Sequence, residues 1–589
     1  MQYNSNDIFK SKVLGHPSGL FVLFFTEMWE RFSYYGMRAL LILFLTAAIT
    51  GEHPGWGWER GNALALFGSY TALVYLSTML GGYVADNKIG YRKSVILGAL
   101  LMTIGHACMA IETPFFIYSG LTFLVFGTGF FKPNMTSMIA LMYKDHPEKK
   151  DGAYTIFYMG VNAGAFFGIL LCGYLGEKVG WSLGFGLAGI FMLFGLLQFY
   201  FTQNIFGNIG LKPGKIEKGT EEQQKIAEVV DTDKRVPFAK WQLIIIALCC
   251  IIGLVWIIND PVSKISGGSV NFLNFSIFGL DGSNFTILFG LALFLFLLFY
   301  RLSKYSLVTK QRLYTVTIFA TFVFTFFAIF EQAPGILTIF AKDYTNRVLE
   351  GSAGTIFKVV NSLIAIVPLA IITWVLILLF KQTFKKYAIG NIILSFSFII
   401  VWGITLWMVV KEFQAESTEV PASWFSVLNS LFIITLAPLF SKIWESKYNP
   451  PATIKFGFGL MLLGVGMAAL VVGAKNIPAG AQTASVSMIW LILVYLFHTM
   501  AELCISPVGL SYVSKLVPAR MIAFMFGVWY LAVAIANKVA GLLGENAVEI
   551  AAKDGISHFF LLITIAAIAI GAVAMLLTPL VKKLMHGIR

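Results

Sequence analysis

The chain of 589 residues is 58% hydrophobic and only 12% charged, with a mean hydropathy of +0.78. Soluble domains carry roughly twice that fraction of charged residues, so a soluble globular protein is excluded. The net charge of +13 does not indicate nucleic acid binding, because the Lys and Arg residues concentrate in alternate loops between apolar segments.

Apolar segments of membrane-spanning length recur along the whole chain. A helix needs about 20 apolar residues to cross a hydrocarbon core of about 30 Å. We therefore predict an all-α integral membrane protein of about 16 spans. The predicted spans are 19–48, 62–85, 93–111, 115–142, 153–176, 181–203, 240–259, 283–302, 312–341, 355–380, 387–410, 424–444, 453–474, 485–512, 521–544 and 556–581.

Lys and Arg are distributed unevenly between the two sides of the predicted membrane protein. With the amino terminus inside, 30 of the 43 Lys and Arg residues fall in cytoplasmic loops and tails, and 9 fall in outer loops. Such an excess is typical of the cytoplasmic side, so both termini are predicted to be cytoplasmic. The first span follows a short polar stretch with no cleavage-site pattern, and we expect no removable signal peptide.

The first span contains two acids and two bases near its middle. Each charge at that depth costs about 2.5–3.5 kcal/mol on insertion scales. At about 100° per residue, most of the polar residues of this span share one stripe. The residues of the stripe and its flanks are Glu27, Glu30, Arg31, Tyr34, Tyr35 and Arg38. The stripe indicates a substrate or ion path, and a local Glu27–Arg31 pair is the simpler alternative.

Two further lysines lie within predicted spans. Lys132 follows Gly127 and Gly129 and directly precedes Pro133. A proline within a helix frees a backbone carbonyl, which can then bind a ligand or water. We expect Lys132 to be functional. Lys538 lies closer to the outer end of its span, and there we expect the ammonium group to snorkel to the interface.

The fifth predicted span combines polar residues with a small-residue ridge. Tyr158 and Asn162 share one face of the helix, and the ridge consists of Gly160, Gly164 and Gly168. Small residues allow neighbouring helices to approach closely. Asn162 either holds two helices together or bonds a substrate amide, and the sequence leaves both readings open.

The second half of the chain contains two acids within its spans. Glu331 precedes a Pro-Gly pair ending at Gly335, which predicts a break in the helix. His498, Glu502 and Ser506 are four residues apart and share one stripe. Glu502 is a candidate for the acid that faces a cationic substrate group, whereas His498 is more typical of helix packing.

Nothing in the sequence indicates catalysis or a bound cofactor. The five cysteines all lie within predicted spans, where packing is their expected role. HExxH, Walker, CxxC and nucleophile-elbow patterns are not found. We therefore expect neither an enzyme nor a metal or cofactor site.

The order of spans and polar segments predicts two halves. Residues 1–203 hold six spans and form a predicted amino-terminal six-helix bundle, and residues 204–239 form a polar cytoplasmic linker. Residues 240–302 add an extra helix pair between the bundles. Residues 303–589 form a second six-helix bundle, with a further helix pair inserted at about 345–422.

Five segments resemble, in matching order, the signatures of one transporter family. The segments are 27–36, 82–93, 127–134, 157–164 and 498–509. The family is that of the proton-coupled oligopeptide transporters, members of the major facilitator superfamily. The second segment, with Asp86, Arg92 and Lys93, resembles the cytoplasmic gating motif of that superfamily.

The resemblance implies import of di- and tripeptides by alternating access, driven by a proton gradient. Arg38 and Lys132 match the family's carboxylate-binding positions, Glu502 its amino-group position, and Asn162 and Asn429 its amide-bonding positions. Other positions expected to line the site are Tyr34, Tyr35, Tyr70, Ser506, Trp529 and Tyr530.

The resemblance also implies which residues couple transport to protons. The matching positions are Glu27, Glu30, Arg31 and Glu331. We predict a Glu30–Lys132 contact and an Arg38–Glu331 contact between the bundles. Protonation of one acid would break a pair and change which gate is stable.

The chain departs from the family pattern in two places. Asn429 is followed by Ser430, where family members often have proline, and the inserted pair has no functional account. Segments 357–363 and 425–431 resemble each other, so the pattern leaves open which holds the eighth core helix. The extra pair at 240–302 fits bacterial members, which favours a bacterial plasma membrane, and we expect a monomer to be functional.

Two alternative functions remain open at this point. A carrier of nitrate or another small organic anion on the same fold would keep the cations but would not need Glu502. A membrane receptor or scaffold that does not transport would not need balanced charges within its spans. Peptides, protons and the lipid bilayer are therefore the expected partners, and nucleic acid is not.

Overall fold

Long helices make up most of the computed structural model, which describes residues 8–212, 237–447, 449–517 and 522–588. Residues 213–236, within the predicted linker, lie outside the described residues. The α-helices in the described part of the chain are α1 (Ser18–Thr46), α2 (Arg60–Val84), α3 (Tyr91–Met109), α4 (Pro114–Met142), α5 (Lys150–Lys178), α6 (Trp181–Thr202), α7 (Lys240–Ile265), α8 (Gly282–Leu302), α9 (Leu307–Phe330), α10 (Thr338–Asp343), α11 (Gly351–Thr383), α12 (Ala388–Gln414), α13 (Val427–Glu445), α14 (Ala452–Gly473), α15 (Met488–Leu516), α16 (Ile522–Lys553), α17 (Ile556–Leu576) and α18 (Thr578–Leu584).

Each of the sixteen predicted spans coincides with a helix of 19 residues or more in the described part of the chain. Fourteen helical segments of that part are long and apolar enough to cross a membrane. The two predicted spans outside that set are α1, with four charged residues in its middle, and α3. The protein is therefore a multi-pass membrane protein built almost entirely of helices.

The helices pack as two groups of six. In the first group, α1 packs along α5 and α6, while α4 packs on α2 and α3. In the second group, α15 packs on α9, α13 and α14, and α17 packs on α14 and α16. The groups meet where α2 packs on α16 and α5 packs on α13. A space between the groups is thus bordered by α1, α2, α5, α13, α15 and α16.

The glycine ridge of α5 allows a close helix contact in the first group. A Cβ atom at Gly164 would lie 2.2 Å from the carbonyl oxygen of Met28, and one at Gly168 would lie 2.2 Å from that of Phe32. No side chain fits at either position, because real Cβ contacts are longer than 3 Å. The ridge therefore holds α5 directly against the charged part of α1.

Two further helix pairs flank these groups. Helices α7 and α8 pack on each other, and α7 also packs on α2. Helices α11 and α12 pack on each other, and α12 packs on α6 of the first group. Phe398 of α12 contacts Trp29 and Phe25 of α1, with ring centroids 5.5 and 5.7 Å apart. The eighth core position is occupied by α13, which packs on α15, and not by α11.

Short paired strands occur in the loops at both ends of the molecule. The strands are β1 (Lys12–Val13), β2 (His16–Pro17), β3 (Ser276–Ile277), β4 (Leu280–Asp281), β5 (Thr345–Asn346), β6 (Val348–Leu349), β7 (Thr418–Glu419) and β8 (Val486–Ser487). Strands β5 and β8 pair in parallel, and β6 and β7 pair antiparallel, so both ends of the inserted pair are tied together. We call the end that holds Thr46 and Arg60 the outer end, after the predicted topology.

Candidate functional site

The charged stripe of α1 is almost fully buried. Glu27 and Arg31 are 3% exposed and Glu30 is 0% exposed. The Nε atom of Arg31 lies 3.0 Å from Glu27 Oε1 and 2.5 Å from Glu30 Oε2. One guanidinium therefore pairs with two carboxylates, and within the described residues the remaining carboxylate oxygens of the cluster have no hydrogen-bond donor. The cluster has an excess of one negative charge when both acids are ionised.

A second ion pair connects the two six-helix groups. The guanidinium of Arg38 on α1 pairs with the carboxylate of Glu331 at the end of α9, which is the predicted contact. The predicted helix break is also present, because Gly335 has non-helical φ and ψ angles of −97° and −110°. The broken segment places Glu331 opposite α1 and lets Gln332 donate to the carbonyl of Ala540 at 2.9 Å.

The predicted contact between Glu30 and Lys132 is wrong. The Lys132 ammonium lies 4.8 Å from the ring centroid of Tyr75, and no ion pair joins it to Glu30 in the described structure. Glu30 instead forms an ion pair with Arg31, its neighbour in the chain. The long arginine side chain reaches both carboxylates, which leaves the half-buried Lys132 available to the space between the groups.

The expectation that Lys538 snorkels to the interface is also wrong. Lys538 is 0% exposed, pairs with Asp260 of α7 and donates to Ser69 Oγ of α2 at 3.0 Å. Asp260 also contacts Lys264 at 2.9 Å, and Lys264 in turn pairs with Glu545. The partner of Lys538 therefore comes from an additional helix, which the sequence pattern does not place near α16.

The second group presents Glu502 and Asn429 to the same space. The amide nitrogen of Asn429 donates to Glu502 Oε2 and to Thr499 Oγ1, both at 3.1 Å. The carboxyl group of Glu502 interacts electrostatically with the hydroxyl groups of Tyr35 on α1 and Tyr158 on α5. An acid of the second group thus faces aromatic hydroxyls of the first.

Aromatic side chains form much of the lining of this space. Tyr34 and Tyr35 meet edge to face with centroids 5.2 Å apart. The hydroxyl of Tyr70 is buried and has no partner in the part of the chain that the structure describes, and Tyr158 is 45% exposed although it lies within a helix. The exposure of a tyrosine inside α5 indicates an open volume between the groups.

The other predicted site residues take varied positions. Asn162 donates to the carbonyl of Tyr158 at 2.9 Å, a bond within its own helix. Ser506 is half-buried, Trp529 is 4% exposed and Tyr530 is 36% exposed. Trp529 packs so closely on α15 that a Cβ at Gly509 would lie 2.3 Å from its ring. No side-chain contact with another described residue assigns Ser506 a role.

His498 is a packing residue in this structure. Its ring is 1% exposed and lies 6.0 Å from the ring of Phe330, and neither ring nitrogen has a partner among the described residues. Gly466 of α14 lies against the same ring. His498 therefore packs against α9 and α14 within the second group.

Hydrogen bonds and ion pairs join the two groups at the outer end. Glu177 of α5 accepts from the backbone N–H of Ala422 and Ser423 at 2.8 and 2.9 Å, and from Ser423 Oγ at 2.5 Å. Two residues of the loop before α13 are thus capped by a carboxylate of the other group. Arg60 and Asp343 also pair here, at 2.6 Å. The outer end is closed.

Glu419 contributes a second part of this closure. Its carboxylate contacts Lys178 of α5 at 2.9 Å and Arg347 at 2.8 Å. Burial raises the pKa of Glu419, but the hydrogen bond from Lys178 and the charge of Arg347 lower it more, so the pKa lies below its ordinary value. Glu419 is therefore ionised over the physiological pH range.

The three residues of the gating motif lie at the opposite end. Asp86 and Lys93 are exposed, whereas Arg92 is 4% exposed. Arg92 donates to the carbonyl of Ile209 at 2.6 Å and to that of Gly207, which follow α6. The motif thus ties the α2–α3 loop to the start of the linker, and a gating role stays a prediction.

No group of three or more His, Cys, Asp or Glu within the described residues is arranged to hold a metal ion. The five cysteines, all of which lie in that part, are free.

Comparison with known proteins gives matches along the whole chain. A sequence model of the POT family (PTR2) matches residues 92–227 and 403–559. The peptide transporter YePEPT of Yersinia enterocolitica is 30% identical over 594 aligned residues, which cover 100% of this chain and 99% of that protein. The di-/tripeptide transporter of Lactococcus lactis subsp. cremoris is 28% identical over 98% of each chain.

Solved structures give the same result. A mutant of a peptide transporter named POT, in complex with alafosfalin, superposes with a TM-score of 0.70 at 27% identity and covers 100% of both chains. A POT family transporter in complex with 5-aminolevulinic acid has a TM-score of 0.71 at 26% identity and covers 98% of this chain and 100% of that one. These matches confirm the predicted all-α fold of two six-helix bundles.

Proposed function

The chain belongs to the POT family, and we propose that it is a proton-coupled symporter that imports di- and tripeptides by alternating access. Its relatives in Yersinia and Lactococcus are named as peptide or di-/tripeptide transporters. We further propose that it works as a monomer in a bacterial plasma membrane, with both termini in the cytoplasm. The excess of Lys and Arg on that side supports this orientation.

The proposal depends most on the opposition of charge across the space between the bundles. Arg38 and Lys132 lie on the amino-terminal side, and Glu502 with Asn429 lies on the carboxy-terminal side. A short peptide is a zwitterion with a fixed backbone and a variable side chain. Cations for its carboxylate and an acid for its ammonium group would bind the parts that all such peptides share.

The amide and aromatic residues fit the rest of such a substrate. The carboxamide oxygens of Asn162 and Asn429 are suited to peptide N–H groups, and the tyrosines of α1, α2 and α5 supply hydroxyl groups and apolar faces. Gripping the backbone and both termini would permit many side chains. Glu502 also separates this proposal from the anion-carrier alternative, since a half-buried acid at the site would repel an anion.

Proton coupling would use the two charged clusters of α1. One guanidinium cannot neutralise both Glu27 and Glu30, so a proton on either acid balances the charge of the cluster. The Arg38–Glu331 pair joins the bundles, and protonation of Glu331 would release it. Protons would then change which arrangement of the bundles is stable.

Uptake of labelled dialanine into proteoliposomes tests the transported substrate. We expect accumulation that requires an inward proton gradient and is suppressed by excess unlabelled trialanine. Glu502→Gln should raise the KM for dialanine at least tenfold, while Glu549→Gln, a change of an exposed acid on the same bundle, should not. Uptake of nitrate or organic acids by folded protein that does not move dialanine would favour the anion carrier instead.

Coupling is tested separately with Glu30→Gln in the same vesicles. We expect exchange of labelled for unlabelled dialanine to continue and proton-driven accumulation to be lost, because the cluster of α1 no longer needs a proton for charge balance. Undiminished accumulation in this variant would contradict the coupling role.

A further inference from the structure

We propose that Thr499 is a positioning residue that determines which side of the Asn429 amide faces the substrate ammonium group. This inference rests on the proposed function. Thr499 is 0% exposed and lies one turn before Glu502 on α15. It would act through Asn429 without touching the substrate.

The hydroxyl hydrogen of Thr499 is already committed to the helix backbone. Thr499 Oγ1 donates to the carbonyl oxygen of Tyr495 at 2.7 Å. A threonine hydroxyl has one hydrogen and two acceptor sites. Toward Asn429 it is therefore an acceptor, and the amide atom that meets it at 3.1 Å is the nitrogen.

Both hydrogens of the Asn429 amide nitrogen are then used. One is donated to Thr499, and the other is donated to Glu502 Oε2. The amide oxygen must point the other way, and the described structure shows no donor to it or to Glu502 Oε1. One oxygen of each of these two side chains is thus left to accept, and an ammonium group carries three N–H donors.

Thr499 is needed because Glu502 alone holds only one of the two amide hydrogens. When a substrate ammonium group binds Glu502, that carboxylate is shared between two donors, and its hold on Asn429 weakens. The Thr499 acceptor does not change, because its own hydrogen stays on the carbonyl of Tyr495. A rotated amide would present N–H donors to the ammonium group and repel it.

The test compares Thr499→Val, which has nearly the same shape but no acceptor, with Thr499→Ser, which keeps the hydroxyl. We expect Thr499→Val to raise the KM for dialanine roughly three- to tenfold, the factor for one neutral hydrogen bond. The maximal rate should change less than twofold, and Thr499→Ser should restore the parent KM. Inhibition by propionyl-alanine, which lacks the amino group, should be the same in all three proteins.

A double-mutant cycle with Asn429→Ala separates positioning from a general structural effect. If Thr499 acts through Asn429, then Thr499→Val adds nothing to the KM of the Asn429→Ala variant. A full additional effect in that background would overturn the proposal, and so would a parent-like KM in Thr499→Val alone. If the valine variant does not fold, Thr499→Ala provides the same comparison, since it removes the hydroxyl without adding a methyl group.

Measurements on the parent protein distinguish a failure of the proposed function from a failure of the proposed role of Thr499. A parent that fails to bind dialanine contradicts the proposed function, and the role of Thr499 falls with it. A parent that transports dialanine with a KM unaffected by the loss of the Thr499 hydroxyl contradicts only the positioning role.

Discussion

Replacing Asp260 by asparagine should destabilise the protein, because Asp260 is the counter-ion of a completely buried lysine. Lys538 lies on α16 where that helix packs on α2, and it is 0% exposed. Its ammonium group contacts only the Asp260 carboxylate and Ser69 Oγ in the described structure. Asp260→Asn keeps the shape of the side chain and removes the charge.

The magnitude follows from the cost of an unpaired buried charge. Breaking a buried ion pair by removing one partner costs about 3–5 kcal/mol. The Asp260 side chain is 11% exposed and Lys264, which also contacts it, is 37% exposed. Water therefore reaches one edge of the cluster, and we expect a loss at the lower end, about 3 kcal/mol.

Denaturation of purified protein in detergent, followed by tryptophan fluorescence, measures the free energy of unfolding. Lys538→Met should cost a similar amount, since it leaves Asp260 with one cation fewer. Asp260→Asn combined with Lys538→Met should recover most of the loss, because no unpaired charge then remains at the α2–α16 contact. Glu549→Gln, a change of an exposed acid about three turns after Lys538 on α16, is the matched control.

Two results would refute this reasoning. The first is an Asp260→Asn variant as stable as the parent, which would mean that Lys538 finds another partner or reaches water. The second is a double variant whose loss equals the sum of the two single losses, because independent sites add and a pair does not.

Three further predictions concern the contacts between the bundles. Glu331→Gln removes the ion pair that joins α1 and α9 and should reduce proton-driven uptake at least tenfold while dialanine exchange continues; loss of both activities would indicate misfolding or a different role. Glu177→Ala removes three hydrogen bonds at the outer end and should add a longer distance between spin labels at Glu52→Cys and Lys475→Cys, both exposed there; an unchanged distribution would contradict the closure. Lys178 and Arg347 lower the pKa of Glu419. The contribution of Glu419 to closure of the outer end is therefore complete above the ordinary pKa of about 4.3 and is lost only as the pH falls through the lowered value. The same label pair should therefore report no outer opening between pH 7 and pH 5, and a change in that range would contradict it.

The helices were predictable because membrane spans are local features. Each needs about 20 apolar residues, and the chain supplies them with no reference to a partner. The break after Glu331 was predictable for a similar reason, since proline and glycine act on the backbone of their own segment. The glycine ridge of α5 also predicted a close helix contact, and in the structure this contact is made with α1.

Ion pairs between helices were predictable only where the resemblance supplied them. The Arg38–Glu331 pair was expected on that basis, and the Glu30–Lys132 pair was expected on the same basis and is absent. Helical spacing treats adjacent residues as facing apart. The arginine side chain is long enough to bridge that separation, so Arg31 forms ion pairs with both Glu27 and Glu30 of its own helix.

Asp260 and Thr499 were missed for different reasons. Asp260 lies five residues before the end of α7, and an acid near a helix end is usually solvated. Nothing in the pattern of α7 says that it packs on α2, beside Lys538. Thr499 carries no charge, and the available signal was its position three residues before Glu502, on the same helical face.

The inserted pair changes what the outer closure must do during transport. It follows α10 of the carboxy-terminal bundle in sequence, but α12 packs on α6 of the amino-terminal bundle. If each bundle moves as a unit, α12 moves with α6 and α13 moves with α15. The chain between α12 and α13 must then cross the boundary along which the bundles separate. Glu177 of α5 accepts a hydrogen bond from Ser423 of this connection, and Lys178 of α5 forms an ion pair with its Glu419. Opening at the outer end therefore requires these contacts to break, while the insert itself stays with the bundle on which it packs.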